Sequence, residues 1–198
     1  TIRLGSAVDT VRRANSGIEV NQAGVWEHFD DVIFATHSDD TLAILSDANP
    51  AERAALASVR YQANEAVLHA DANAMPKRRA VWSSWNYTER AGIAGGPIDL
   101  TYWMNCLQPI PKTDPMFVTL NSRAPIADDL IYDTAQFRHP VFDLAALKAQ
   151  STIQGMNGTN NTWFCGAWMR NGFHEDGYAS AMDVVEGIKT RERAVLAA

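Results

Sequence analysis

Two cysteines in 198 residues cannot form a disulfide framework, and Cys106 with Cys165 falls short of a four-ligand zinc site. They fit a reducing compartment, so a cytoplasmic location is expected. Basic charge is also scarce. Seventeen Lys and Arg against 23 Asp and Glu leave a net charge of -6. A binder that works by neutralising phosphates needs the opposite balance, so no nucleic-acid partner is expected. Long apolar runs are missing. Val32 to Ala35 and Ala194 to Ala198 fall far short of the roughly 20 residues that cross a bilayer, so no transmembrane segment is expected. No internal repeat and no low-complexity linker is visible. There is no G-x-S-x-G, no P-loop and no Cys–His pair at a telling spacing. Gly92-x2-Gly95-Gly96-Pro97 and Gly155-x2-Gly158 lack the G-x-G-x-x-G spacing after a strand. Glycosylation-type triplets begin at Asn86, Asn157 and Asn160; with no signal peptide in view they read as chance matches. The chain opens at Thr1 rather than Met and goes at once into strand-like text, which is expected of a piece of something longer.

What is present is a globular composition, 46% hydrophobic and 20% charged. A chain of this length buries roughly 70% of its unfolded surface and needs no covalent staples. Its texture divides into three blocks with boundaries near 48/49 and 155/156. In the first block, Ser6 to Val11 alternates weakly, as a half-buried strand does. Ile18-Glu19-Val20 and Val25 to Phe29 flank a turn at Gly24 and predict a hairpin. Asp31 to Thr36 is a continuous apolar run that predicts a parallel-sheet strand buried on both faces. Ser38-Asp39-Asp40 is expected to cap a helix over 41–45.

The second block opens with a short helix that has Pro50 in its first turn. It then reads as β, with strands predicted over 65–69, 79–87, 98–107, 116–121 and 130–138, separated by turn residues. Aromatic and polar residues mix along these strands, which suits an antiparallel sheet with one packed and one partly open face. A helix is predicted over 142–150. The third block follows a Gly/Asn loop over 155–161. A short buried strand over 162–166 and a turn lead to a helix over 176–195, with Tyr178, Ala181, Met182, Val185 and Ile188 on one face. Alternating β and helical text of this kind is α+β (α/β).

Phe164-Cys165-Gly166-Ala167-Trp168, then Gly172-Phe173-His174-Glu175-Asp176-Gly177, is the most specific pattern. A strand ends on glycine, small residues admit a close ligand, and a glycine-bearing turn precedes a helix start. The arrangement suits an anionic or electron-rich ring system, or else a plain strand–loop–helix. His174-Glu175-Asp176 is not a metal cluster, because consecutive residues seldom converge on one ion, and no metal is expected. Glu175 and Asp176 favour a helix start instead. Lys77-Arg78-Arg79 is a basic spot that reads as a solvated turn or an anion anchor. His69 reads as a satisfied strand residue rather than a catalyst. Trp82, Trp85, Tyr87, Tyr102 and Trp103 either line a pocket or pack ordinarily.

Blocks one and three resemble the later flavin-domain segments of the amine oxidase and phytoene desaturase superfamily. The stretches 64–71, Met75-Pro76, 81–87 and 101–105 resemble one branch, the NAD/FAD-binding oxidoreductases associated with cyclopropane-fatty-acid synthases. The resemblance spans essentially the whole chain. It implies a flavin domain from residues 1–48 and 156–198 and a mostly antiparallel substrate domain from 49–155. The family's first βαβ unit, with G-x-G-x-x-G, is absent, so the chain looks like a C-terminal portion. It is expected to hold FAD weakly or not at all by itself. Carried over, the resemblance places the adenine beside Val8 and the dinucleotide near Thr36. It places the ribityl chain and phosphates by Gly166 and Ala167, and the flavin ring by Phe173, His174 and Gly177. Ala167 stands where the family carries Glu. The implied pocket wall is Trp82, Trp85, Tyr102 and Trp103, with Phe173 at the flavin end. No acid/base constellation is present, so no catalytic side chain is assigned. The reading is a flavin-dependent hydride transfer from a C–H bond of a small-molecule substrate, a lipid or acyl one being favoured. A true amine oxidase and a non-catalytic ligand- or partner-binding α+β module are the alternatives.

Overall fold

The computed structural model describes residues 1–89 and 99–197. It divides into two compact units, 1–61 with 140–198, and 62–139. These divisions fall inside two strands, whereas the textural boundaries stand at 48/49 and 155/156. The helices on either side of the middle β text belong with the first unit's core.

The first unit opens with an antiparallel meander of β1 (Thr10–Ala14), β2 (Gly17–Gln22) and β3 (Val25–Phe29). The first strand therefore starts four residues later than the alternation predicts. Its register is fixed by the turn before Gly17, whose φ of +142° suits glycine and whose added Cβ would stand 2.4 Å from the Phe29 carbonyl. Arg12 and Arg13 then sit inside β1, where Arg12 pairs with Glu19 at 2.6 Å and Arg13 with Glu52 at 2.7 Å. A second sheet joins β4 (Val32–Phe34) to a late strand, β10 (Thr162–Phe164), in parallel. The parallel pairing is as the apolar run predicts. Burial on both faces is not: Phe34 is buried but Ile33 is 47% exposed, because Ile33 points away from the core.

Three helices complete that core: α1 (Ser38–Ile44), α2 (Pro50–Ala57) and α4 (Leu144–Met156). Ser38, Asp39 and Asp40 do not precede α1 but form its first turn, and no side chain caps it. Asp39 and Asp40 favour the helix by their charge near the positive end. Asn49 and Glu52 form a reciprocal cap on α2, with Pro50 in the first turn as expected. The helix α4 runs six residues past the predicted end. It stops at Asn157, whose side chain accepts from Phe164 N–H at 2.7 Å and donates to the Phe164 carbonyl at 3.1 Å. Leu45, Leu56, Ile153, Phe164 and Trp168 are buried together here.

The last helix, α5 (His174–Leu196), buries Ser180 and Val184. The predicted apolar face is split. Val184, Ala181 and Ile188 pack with Trp163 and Cys165, while Tyr178, Met182 and Val185 are exposed. The wide Trp163 ring selects the narrow stripe: a Cβ at Gly187 would lie 2.6 Å from it.

The second unit is built on a sheet ordered β6 (Trp85–Thr88), β7 (Asp99–Trp103), β8 (Phe117–Leu120), β5 (Arg60–His69), β9 (Ile131–Val141). The pairings of β6, β7, β8 and β5 are antiparallel. Two predicted strands are shorter. Residues 79–81 make a 3-10 turn instead of strand, because Trp82 donates to the Pro76 carbonyl at 2.7 Å and packs on Trp103 and Phe117. After Trp103 the chain enters α3 (Met104–Leu107), held by Asn105, which donates to the Pro111 and Asp114 carbonyls and accepts from Met116 N–H. The predicted start at Ile98 and the Gly92–Pro97 stretch lie outside the described residues. The architecture is α+β, with mostly antiparallel sheets.

Candidate functional site

The carboxyl ends of β4 and β10 lie side by side, since the two strands are parallel and in register at Phe34 and Phe164. Ligands of open parallel sheets bind outside such ends. Gly166 follows β10 with φ +137°, and a Cβ there would meet the Trp168 indole at 2.9 Å. The Trp168 Nε1–H donates to the Thr36 carbonyl at 3.0 Å, which joins the exit of β10 to the exit of β4. Gly177, in the first turn of α5, faces the same loop: its added Cβ would stand 3.6 Å from Ala167 N. Thr36, Gly166, Ala167 and Gly177 are thus one small-residue surface at the strand ends.

The backbone there is partly committed. Gly166 donates its N–H to Ser180 Oγ at 2.9 Å, and its carbonyl accepts from the same hydroxyl at 3.1 Å. Asp176 accepts from Phe173 N–H at 3.0 Å and so takes the capping role read for it. Phe173, just before α5, is 56% exposed, and His174 begins the helix in the open. Val8 lies elsewhere. With Val20, Val32 and Ile33 it lines a separate cavity of about 570 Å³.

In the second unit the four predicted pocket aromatics fall into two pairs. Trp85 and Tyr102 are cross-strand partners with ring centroids 5.9 Å apart. Trp82 and Trp103 meet edge to face at 5.2 Å beside Met75 and Phe117. Tyr102 and Trp103 are consecutive in one strand and so point to opposite faces. Trp85 is 44% exposed, whereas Trp103 is buried. Arg79 lies over the Trp82 ring at 5.1 Å, a cation–π contact. His69 is fully buried, and both ring nitrogens are satisfied, by Thr119 Oγ1 at 2.7 Å and Asp71 N–H at 3.1 Å. Burial holds its pKa below the usual imidazole value, with Asp71 opposing.

Sequence reading missed two groupings. Asn64, Asn121 and His139 hydrogen-bond to one another through Asn64, at 2.8 and 2.7 Å. At the start of α1, ligand atoms of His37, Asp39 and Asp40 lie within 4.8 Å of one another, with His37 stacked on Tyr61. Neither had a spacing signal that separates it from ordinary surface text. No described helix is long and apolar enough to cross a membrane.

No protein-family model and no curated protein sequence matches the chain. Solved structures do. A putative protoporphyrinogen oxidase from Exiguobacterium sp. 255-15 superimposes with a TM-score of 0.68 at 12% identity, over 96% of this chain and 48% of that one. A CLA-producing fatty acid isomerase from P. acnes gives 0.61 at 14% identity, over 91% and 47%. A putrescine oxidase gives 0.52 at 12%, over 91% and 48%. The chain spans about half the length of each. The chain therefore has the fold of about half of each of these three structures.

Proposed function

We propose that the chain is part of a flavin-dependent oxidoreductase that moves a hydride from a C–H bond of a lipid or acyl substrate to FAD. The observation that carries this reading is the junction of the two parallel strand ends, Gly166 and the start of α5, in a chain with the fold of flavoenzymes. Gly166 and Gly177 let Trp168 and Ala167 pack close at the strand ends, and Gly166 N–H is taken by Ser180, so a cofactor would lie along the outer rim at Thr36, Ala167 and Phe173. In this reading Thr36, Gly166, Ala167, Gly177, Phe173 and His174 border FAD, and Val8 borders its adenine. Residues 1–48 and 156–198 contribute to the flavin domain, 49–155 to the substrate domain, and the protein is cytoplasmic. FAD, when bound, supplies the two-electron acceptor.

The chain's own residues position and desolvate. Phe173 presents an exposed apolar ring at the head of α5. Trp85 and Tyr102 offer an aromatic wall that suits an apolar chain better than a small charged amine. Lys77, Arg78 and Arg79 supply an anchor for an anionic head group. Hydride transfer needs orientation and exclusion of water more than an acid or base. The fatty acid isomerase among the structural neighbours supports the acyl preference, and the putrescine oxidase keeps an amine in play.

The test is anaerobic flavin reduction in the full-length protein with a panel of amines and of unsaturated or methyl-branched acyl lipids. Reduction by lipids is expected, and Phe173→Ala slows it. Rapid reduction by simple amines alone overturns the acyl reading, and a protein that never binds flavin overturns the enzyme reading in favour of a binding module. The 198-residue chain by itself is expected to carry no FAD, because no G-x-G-x-x-G unit is in it to hold the pyrophosphate. A stoichiometric flavin absorbance that survives dialysis would refute that.

A further inference from the structure

One face of the second unit's sheet carries Asn86, Asp99, Thr101 and Thr119, and these residues border a cavity of about 410 Å³. All four are buried. The hydrogen bonds behind this wall run in one direction. Asp71 N–H donates to His69 Nδ1, so the neutral ring carries its proton on Nε2. Nε2–H therefore donates to Thr119 Oγ1 at 2.7 Å. The Thr119 hydroxyl, 1% exposed, would bury an unused proton unless it donates onward to Thr101 Oγ1 at 2.9 Å. Thr101 is left with a hydroxyl proton and the cavity beside it.

Two strand positions along the same face stands Asp99. It is 8% exposed, and its Oδ2 accepts a long hydrogen bond of 3.3 Å from Arg123 N–H. Among the described residues its other oxygen has no donor. Asn86 cannot supply one: its amide donates to the Ser83 and Thr101 carbonyls and accepts from Ser83 N–H, which saturates it as a wall. Lys77 stands exposed among the cavity-lining residues.

We infer that this cavity binds a neutral polyhydroxylated group, sugar-like or glycerol-like, one hydroxyl accepting from Thr101 and a neighbouring hydroxyl donating to Asp99. Residues two apart on one strand face stand about 7 Å apart, a span that two adjacent hydroxyls bridge with one hydrogen bond at each end. A cationic amine satisfies Asp99 but has no acceptor for Thr101 and meets Lys77. A carboxylate satisfies Thr101 but faces the Asp99 charge. The site does not rest on the flavin reading: Thr101 and Asp99 lie on the face opposite Trp85 and Tyr102, and Lys77 is the one residue that both readings use.

The experiment is a titration of the 198-residue chain with D-glucose and glycerol, read by the methyl NMR shifts of Thr101 and Thr119. Ethylammonium and acetate serve as charged probes. Saturable shifts with glucose are expected, weakened at least tenfold by Thr101→Val and by Asp99→Ala and kept within threefold by Thr101→Ser. The inference is overturned by an unsaturable or absent response to glucose, by unchanged affinity in Thr101→Val, or by tighter binding of ethylammonium or acetate at the same methyls. If Thr101→Val does not fold, the serine variant still decides, since a tenfold loss there means the hydroxyl is not the contact.

Discussion

The Trp168 indole reaches across from the exit of β10 and donates to the Thr36 carbonyl at the exit of β4, 3.0 Å away. Trp168 is also 3% exposed, so one side chain both fills the core and ties the two strand ends. Trp168→Phe keeps most of the apolar volume and loses the tie. It is expected to cost about 1–3 kcal/mol in urea unfolding. A midpoint equal to that of the unaltered chain would show that the tie is incidental.

Gly187 gives a prediction of sign. In an exposed helix interior, Gly→Ala gains about 1 kcal/mol. Here the new methyl would stand 2.6 Å from the Trp163 ring, which is 4% exposed and cannot swing away freely. Gly187→Ala is therefore expected to destabilise, by about 1–3 kcal/mol. A raised Tm would contradict the packing of α5 on β10.

Arg13 and Glu52 form a buried pair, with side chains 13% and 4% exposed. Arg13 also donates to Thr162 Oγ1, which links β1 to β10. Glu52→Gln keeps the shape and, with its one amide oxygen turned to Asn49 N–H, the cap on α2, but removes the carboxylate and leaves Asp47, at 3.5 Å, as the anionic partner of the guanidinium. A loss of roughly 3 kcal/mol is expected by chemical denaturation. An effect below about 0.5 kcal/mol would place the pair among weak surface contacts.

Asp31 accepts both guanidinium nitrogens of Arg191 and the Trp163 indole N–H. The Arg191 hydrogen bond holds its carboxyl below the usual carboxylate range, against the opposing pull of burial. A depressed folded pKa stabilises above the unfolded value, about 3.9, and that stabilisation fades as pH falls through the folded value. The gap in stability between the unaltered chain and Asp31→Asn should be full at pH 6 and narrow progressively below pH 4. A gap that stays constant from pH 6 to pH 3 would show that the charge does not contribute.

Local chemistry made some of this legible from the chain itself. Asn49-Pro50-x-Glu52 marked the start of α2, and Gly24 marked the hairpin, because caps and positive-φ turns act over a few residues. The run Val32 to Phe34 marked a parallel strand, although the cover on both faces that it suggested is missing at Ile33. The strand-ending Gly166 marked the exit of β10, where its φ is +137°. Other features were decided only by packing at a distance. Trp82 reads like strand text, yet it folds over Trp103 and Phe117 because a T-shaped aromatic cluster and the Pro76 carbonyl outweigh its β preference. Which stripe of α5 is buried depended on the shape of Trp163, and helical periodicity is blind to a neighbour's shape. The alternation of Tyr102 and Trp103 follows from the strand period. Which of the two faces is covered, and that His69, Thr119 and Thr101 form one directed chain from positions 50 and 18 residues apart, was settled by sheet register alone.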